Sequence, residues 1–86
     1  MKTIYKLSMA NCSPCKAYAP TFNKLAKEFP EHCWVEVDVS GELGASLAKQ
    51  FSIRSVPATI VINGTREDVK LGNLTESELK CFVEGT

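Results

Sequence analysis

"ANCSPCKAYAP", residues 10–20, holds two cysteines separated by a Ser-Pro pair and followed by a run with helical spacing. Pro14 fits the first turn of a helix, where its missing N–H is not needed, and Ser13 is predicted to cap that helix. The stretch therefore predicts a turn into a helix, with Cys12 at the start of the helix and Cys15 one turn further on.

The residues after the two cysteines continue the helical pattern. Apolar side chains recur three or four residues apart, at Tyr18, Phe22, Leu25 and Phe29. One face of this helix is therefore apolar. Pro30 marks its end, and Pro20 inside it predicts a kink, because proline removes one backbone hydrogen bond.

Strands and a second helix are predicted on either side. Residues 3–9 and 33–39 mix β-branched and aromatic residues with polar ones, as strands do. Residues 58–63, "ATIVIN", form an apolar run typical of a strand buried on both faces. Residues 42–51 predict a helix capped by Ser40. The apolar face of that helix consists of Leu43, Leu47 and Phe51.

The last third of the chain predicts a hairpin and a third helix. Asn63-Gly64 is a strong hairpin signal because both residues tolerate positive φ, so residues 66–71 should return antiparallel. Thr75 and Glu78 have the capping-box spacing for the final helix. The order βαβαββα predicts an α/β fold with a four-stranded mixed sheet flanked by three helices.

Length and composition are those of one domain that spans residues 1–86. Ten basic residues balance ten acidic ones, so no net field attracts phosphate backbones or anionic lipid. Nucleic acid and membranes are therefore not expected as partners. There is no signal-peptide pattern and no apolar run long enough to span a bilayer. We expect a cytoplasmic monomer whose cysteines are not structural staples.

The C-x-x-C pair at a strand-to-helix junction predicts redox chemistry. Helix N–H groups without intrahelical partners and the helix dipole stabilise a thiolate, which lowers the pKa of the Cys12 thiol and makes Cys12 the nucleophile. Cys15 faces the interior and attacks the mixed disulfide that Cys12 forms with a substrate. The Ser13-Pro14 spacer keeps both sulfurs close. No cofactor beyond this redox-active pair is expected.

Two other interpretations of the pair stay open at this point. A zinc or iron–sulfur site needs two further ligands, and the remaining candidates, Cys33, Cys81 and His32, do not have metal-ligand spacing. Two packed core thiols are also possible, because free cysteine is among the most buried residue types. Cys33 and Cys81 are themselves predicted to be core or half-buried thiols.

Three segments together resemble the thioredoxin family. "CSPCKAYAP", residues 12–20, is similar to the family's C-x-P-C-K and the helix with a later proline. "QFSIRSVPATIVINGT", residues 50–65, is similar to the segment that leads through a cis proline into a strand and an Asn-Gly hairpin. "LGNLTESEL", residues 71–79, resembles the family's glycine and final helix. The resemblance implies a thioredoxin-like fold, without the extra N-terminal strand and helix of full-length thioredoxins.

The resemblance also implies roles for individual residues. Pro57 is expected to be cis and close to the dithiol, and Val56 is expected to offer its backbone to an extended substrate segment. Lys16 either favours the nearby thiolate or is a solvated helix charge. The rest of the expected substrate-binding surface consists of Asn11, Ser13, Pro14 and Gly72.

Two positions depart from the family's pattern. Asn11 stands where the family usually has a tryptophan, so one wall of the substrate groove is smaller and more polar. Lys6 stands where the family has a buried aspartate that assists proton transfer at the second cysteine. Our hypothesis is that Lys6 lies near the dithiol and favours its thiolate. The alternative is an ammonium group that reaches solvent from a strand edge.

The predicted function is thiol–disulfide oxidoreductase, with disulfide-containing proteins as substrates and a thioredoxin reductase or glutathione system as reductant. A glutathione-dependent glutaredoxin is one alternative, although residues 72–75 lack the paired glycine and following cysteine-aspartate of that class. A metal or iron–sulfur carrier that uses the same two thiols is the other.

Overall fold

The order of strands and helices is the predicted one. A computed structural model describes all 86 residues, Met1–Thr86. The strands are β1 (Thr3–Ser8), β2 (Cys33–Asp38), β3 (Ala58–Asn63) and β4 (Arg66–Leu71). The helices are α1 (Ser13–Glu28), α2 (Glu42–Gln50) and α3 (Glu76–Gly85). The predicted mixed sheet with three helices is confirmed. None of the helices has the length and apolar character that a membrane crossing needs.

The sheet places β1 near its middle. The strand order is β2-β1-β3-β4, in which β1 pairs parallel with β2 and antiparallel with β3. Strands β3 and β4 form the predicted antiparallel hairpin. Because side chains alternate along a strand, Ile4 and Lys6 of β1 lie on one face of the sheet, and Tyr5 and Leu7 lie on the other.

Each face of the sheet has its own hydrophobic core. The face covered by α1 and α3, here named the α1 face, buries Ile4, Tyr18, Phe22, Leu25, Val61, Leu74, Leu79 and Val83. The face covered by α2, here named the α2 face, buries Leu7, Val37, Leu47, Ala58 and Ile60. Residues 58–61 are fully buried, which agrees with the prediction that β3 has no solvent-facing side over most of its length.

The N-terminus of α2 differs from the prediction. Its N-cap is Gly41, and no side chain caps the helix. The Ser40 hydroxyl instead donates a hydrogen bond to Asp38 Oδ1 at 2.6 Å. The backbone N–H of Ser40 donates to the same oxygen, and these hydrogen bonds hold the pKa of Asp38 below its usual value. Ser40 therefore belongs to the turn before the helix.

The apolar face of α2 also differs from the predicted one. Leu43 is 53% exposed, whereas Gly44 and Leu47 are buried. An added Cβ at Gly44 would lie 1.9 Å from the carbonyl oxygen of Asp38. The helix approaches the end of β2 so closely there that only glycine fits, and this approach turns Leu43 outward.

The hairpin turn lies one residue later than predicted, and the third helix begins with the predicted capping box. Strand β3 includes Asn63, so the two-residue turn consists of Gly64, at φ 64°, and Thr65. The capping box of α3 is present: Thr75 Oγ1 accepts from the backbone N–H of Glu78 at 3.1 Å, and the Thr75 backbone N–H donates to Glu78 Oε1 at 2.9 Å. The hydrogen bond from the Thr75 backbone N–H is the main cause that holds the pKa of the Glu78 carboxyl group below its usual value.

Candidate active site

Cys12 and Cys15 form a disulfide at the N-terminus of α1. Their Cα atoms are 5.2 Å apart, within the usual range for a disulfide. Cys12 itself is the N-cap: its backbone is extended, and its Sγ accepts a hydrogen bond from the Cys15 backbone N–H at 3.2 Å. The cap predicted at Ser13 is therefore wrong by one residue, because Ser13 already has helical conformation. Pro14 occupies the first turn as predicted.

The two cysteines differ in exposure. Cys12 is half-buried, whereas Cys15 is only 3% exposed. Ser13, Pro14 and Lys16 around them are all exposed. An incoming molecule therefore reaches Cys12 before it reaches Cys15. Two packed core thiols do not describe this pair, since the two sulfurs are bonded to each other and one of them opens to the surface.

A second segment lies against the disulfide. The Val56-Pro57 peptide bond is cis, as the resemblance implied, and the carbonyl oxygen of Val56 lies 3.8 Å from Cys12 Sγ. The backbone N–H of Gly72, which has φ 91°, donates to the Pro57 carbonyl oxygen at 2.8 Å. These contacts place Val56, Pro57 and Gly72 together at the dithiol end of the sheet. Asn11, which directly precedes Cys12 in the turn between β1 and α1, is exposed.

Lys6 is buried beneath this end of the sheet. Its side chain is 1% exposed, and its Nζ lies 3.3 Å from Glu36 Oε1. Lys6 and Glu36 are directly opposite in the parallel pairing of β1 and β2. The ammonium group also lies 5.5 Å from the centroid of the Phe22 ring, at cation–π distance. The alternative of an ammonium that reaches solvent from a strand edge is wrong, because β1 has a neighbour on each side.

A cavity of about 100 Å³ brings Lys6 and the dithiol together. Its lining includes Lys6, Cys15, Lys16 and Glu36. The side chain of Glu36 is 55% exposed, so the cavity is bordered by a group in contact with solvent. Glu36 was not predicted from the sequence. The only signal for it is the register of β1 against β2, which places a carboxylate opposite the unusual lysine.

The other two cysteines do not join the site. Cys33 and Cys81 are free and exposed, so the prediction that they are core or half-buried is wrong. Cys33 begins β2, an edge strand, and α3 turns Leu79 and Val83 toward the core, which leaves Cys81 outside. No group of three or more histidine, cysteine, aspartate or glutamate side chains is arranged to hold a metal ion.

Comparison with known proteins identifies the family. The thioredoxin family model matches residues 3–85, nearly the whole chain, including both cysteines and Pro57. The chain belongs to the thioredoxin family. It is 33% identical over 73 residues to the thioredoxin of Buchnera aphidicola, an alignment that covers 84% of this chain and 66% of that protein.

Other thioredoxins give the same result. The chain is 32% identical over 74 residues to thioredoxin C-3 of Corynebacterium nephridii, an alignment that covers 85% of this chain and 50% of that protein. The chain thus spans half to about two thirds of the length of these curated relatives. Its fold matches the X-ray structure of Fasciola hepatica thioredoxin with a TM-score of 0.85 and 27% identity, over 98% of this chain and 79% of that chain. The predicted thioredoxin-like fold is confirmed, and the relatives named here are thioredoxins rather than glutaredoxins or metal carriers.

Proposed function

We propose that this member of the thioredoxin family is a thiol–disulfide oxidoreductase that reduces protein disulfides through Cys12 and Cys15. The observation that carries the proposal is the disulfide between a half-buried and a buried cysteine at the N-terminus of α1. Such a pair alternates between dithiol and disulfide without another cofactor.

Cys12 starts the reaction as the nucleophile. Its thiolate attacks one sulfur of a substrate disulfide, forms a mixed disulfide and releases the first substrate thiolate. The Cys15 backbone N–H, which points at Cys12 Sγ from 3.2 Å, stabilises the thiolate before attack. The Cys15 thiolate then attacks Cys12 Sγ, forms the intramolecular disulfide and releases the second substrate thiolate. Two electrons pass to the substrate, and its two thiolates take up protons.

The substrate lies on the surface that surrounds Cys12. A substrate segment in extended conformation pairs with the backbone of Val56, as a strand pairs with a sheet edge. Because the Val56 carbonyl oxygen is 3.8 Å from Cys12 Sγ, this pairing brings the substrate disulfide to the nucleophile. Lys16 is exposed beside the pair and favours the thiolate. The exposed Asn11, Ser13 and Pro14 and the half-buried Gly72 make the remaining contacts. Pro57 is fully buried, so its role is to shape the backbone at Val56 rather than to touch the substrate.

The proposed partners follow from this chemistry. Substrates are proteins that carry a disulfide, and the oxidised pair is reduced again by a thioredoxin reductase or a glutathione system. We place this single-domain monomer in the cytoplasm, because the exposed free thiols of Cys33 and Cys81 suit a compartment that keeps thiols reduced.

Insulin reduction driven by dithiothreitol tests the function, with the turbidity of the released insulin chain as the signal. The wild-type protein should accelerate the reaction, and Cys12→Ser should abolish the acceleration. Cys81→Ser is the matched control, because Cys81 is a free, exposed cysteine, and it should keep the full rate. No acceleration by the wild type would overturn the proposed activity, and an active Cys12→Ser would overturn the assigned nucleophile.

A change of reductant separates the two redox classes. Recharging by NADPH and a thioredoxin reductase is expected for a thioredoxin, whereas recharging only by glutathione and glutathione reductase would indicate a glutaredoxin. Titration of the dithiol against a glutathione buffer then gives the reduction potential, and a low potential is expected for a reductant.

A further inference from the structure

In the resolving step, Cys15 has to lose its proton, and neither cysteine accepts it. Only a thiolate attacks a disulfide at a useful rate, and Cys15 is 3% exposed. Burial disfavours the charged form of an ionisable group. If the proposed function holds, a group near Cys15 has to take its proton during each turnover.

The cavity beside Cys15 is lined by one side chain that can accept this proton. The charged side chains that line it are Lys6 from β1, Lys16 from α1 and Glu36 from β2. A lysine ammonium has three donors and no acceptor, so neither lysine accepts a proton. Glu36 is the only carboxylate in the lining.

The contacts of Lys6 hold Glu36 at the cavity. The side chain of Glu36 is 55% exposed, and without a partner it would be free to turn into solvent. The buried Lys6 ammonium, fixed between Glu36 Oε1 at 3.3 Å and the Phe22 ring at 5.5 Å, attracts the carboxylate inward. The register of β1 against β2 places both side chains on the α1 face, which is the face that contains Cys15.

We propose that the Glu36 carboxylate accepts the proton of Cys15 in the resolving step, and that Lys6 is the positioning residue that keeps Glu36 in place. The Cys15 thiol gives its proton to Glu36, directly or through a water molecule, for which about 100 Å³ leaves room. The resulting Cys15 thiolate forms a bond to Cys12 Sγ, and the bond from Cys12 to the substrate sulfur breaks. The substrate sulfur leaves with the electron pair, and Glu36 returns the proton to solvent or to that thiolate.

The two steps can be measured separately with dithiobis(nitrobenzoate), an aromatic disulfide. Reduced protein releases one thionitrobenzoate when Cys12 attacks and a second when Cys15 resolves the mixed disulfide. Both releases are followed by absorbance in a stopped-flow instrument. Because the exposed Cys33 and Cys81 also react with the probe, all variants carry Cys33→Ser and Cys81→Ser. The first phase reports the proposed function, and the second reports the role of Glu36.

Glu36→Gln should slow the second phase about tenfold at pH 7 and move its pH midpoint upward, while the first phase changes less than about twofold. Glu36→Asp, which keeps a carboxylate, should recover part of the rate. Lys6→Met should also slow the second phase, because Glu36 loses its partner. Glu67→Gln is the matched control: Glu67 is an exposed strand glutamate outside the cavity, and this change should alter neither phase.

A different change in the second phase is expected if Glu36 does not accept the proton. A carboxylate that acts only through its negative charge disfavours a nearby thiolate, so its removal would accelerate the second phase. A second phase that is unchanged or faster in Glu36→Gln overturns the proposal. A wild-type protein without a first phase overturns the oxidoreductase function instead.

Discussion

The α1 face and the α2 face of the sheet bury different kinds of side chain. The buried side chains of the α2 face are all aliphatic. The α1 face also buries Lys6, Thr59 and Tyr18, among aromatic residues. Tyr18 Oη lies 2.8 Å from Thr59 Oγ1, and Lys6 pairs with Glu36. No buried side-chain nitrogen or oxygen lacks a hydrogen-bond partner.

Side chains alternate along each strand, which explains why the α1 face and the α2 face of one sheet can differ in character. Lys6 and Leu7 are neighbours in β1 and point to opposite faces, and Thr59 is directly opposite Lys6 on β3. A buried polar group costs free energy unless it is paired, and each of these polar groups on the α1 face has its partner. One of these groups, Lys6, also lines the cavity beside Cys15. We therefore expect the α2 face to affect stability alone.

The largest expected effect is a loss of stability on the α2 face. Leu47→Ala leaves a cavity in an aliphatic core, and we expect the free energy of unfolding to fall by about 3–4 kcal/mol. Urea unfolding followed by circular dichroism measures the change. Both phases of thionitrobenzoate release should stay within about twofold of wild type under conditions where the variant is folded. A slower second phase would contradict the separation between the two faces.

The next effect concerns the close approach of α2 to β2. Gly44→Ala places a methyl group 1.9 Å from the Asp38 carbonyl oxygen, so the helix has to move away from the sheet. We expect a loss of about 2–3 kcal/mol of unfolding free energy. Gly85→Ala is the matched control, since an added Cβ there meets nothing within 4 Å, and it should be neutral or slightly stabilising. Equal stability for both variants would show that α2 adapts freely.

Gly44 also illustrates what the sequence could not predict. Most of the fold and the position of Cys12 and Cys15 at the start of α1 were predictable because several local signals agree, such as Pro14 inside the C-x-x-C motif and the capping box at Thr75. The contact of Gly44 with Asp38 depends on the distance between two elements, and no local pattern encodes that distance. Leu43 has the helical spacing of a core residue, but it is exposed. The close approach of its neighbour Gly44 to Asp38 turns it outward.

The pairing of Lys6 with Glu36 is another contact that no local sequence pattern predicts. The sequence placed Lys6 at an unusual position, yet its partner depends on the register of two parallel strands that lie far apart in the chain. The exposure of Cys33 likewise depends on β2 being an edge strand. Residue type favoured burial of this cysteine, and the topology of the sheet decided against it.

The smallest expected effect tests the polar pair on the α1 face. Tyr18→Phe removes the hydroxyl that contacts Thr59 Oγ1 and leaves the Thr59 hydroxyl buried without a partner. We expect the free energy of unfolding to fall by about 1–2 kcal/mol at pH 7. Addition of Thr59→Val should restore part of the loss, because the unpaired hydroxyl is removed as well. Additive losses in the double variant would mean that the two hydroxyls act independently.

The same pair predicts a dependence on pH. Burial raises the pKa of Tyr18 to about 12, and the hydrogen bond between Tyr18 and Thr59 opposes the shift only in part. The folded protein therefore holds this proton more tightly than the unfolded chain, whose tyrosines titrate near 10. The resulting stability is complete below about pH 10 and is lost as the pH rises from 10 toward 12. Tyr18→Phe lacks this titration, so its stability deficit relative to wild type should shrink across that range in urea unfolding. A deficit that stays constant up to pH 12 would mean that Tyr18 ionises as easily in the folded protein as in the unfolded chain, and that the α1 face does not isolate its polar groups from water.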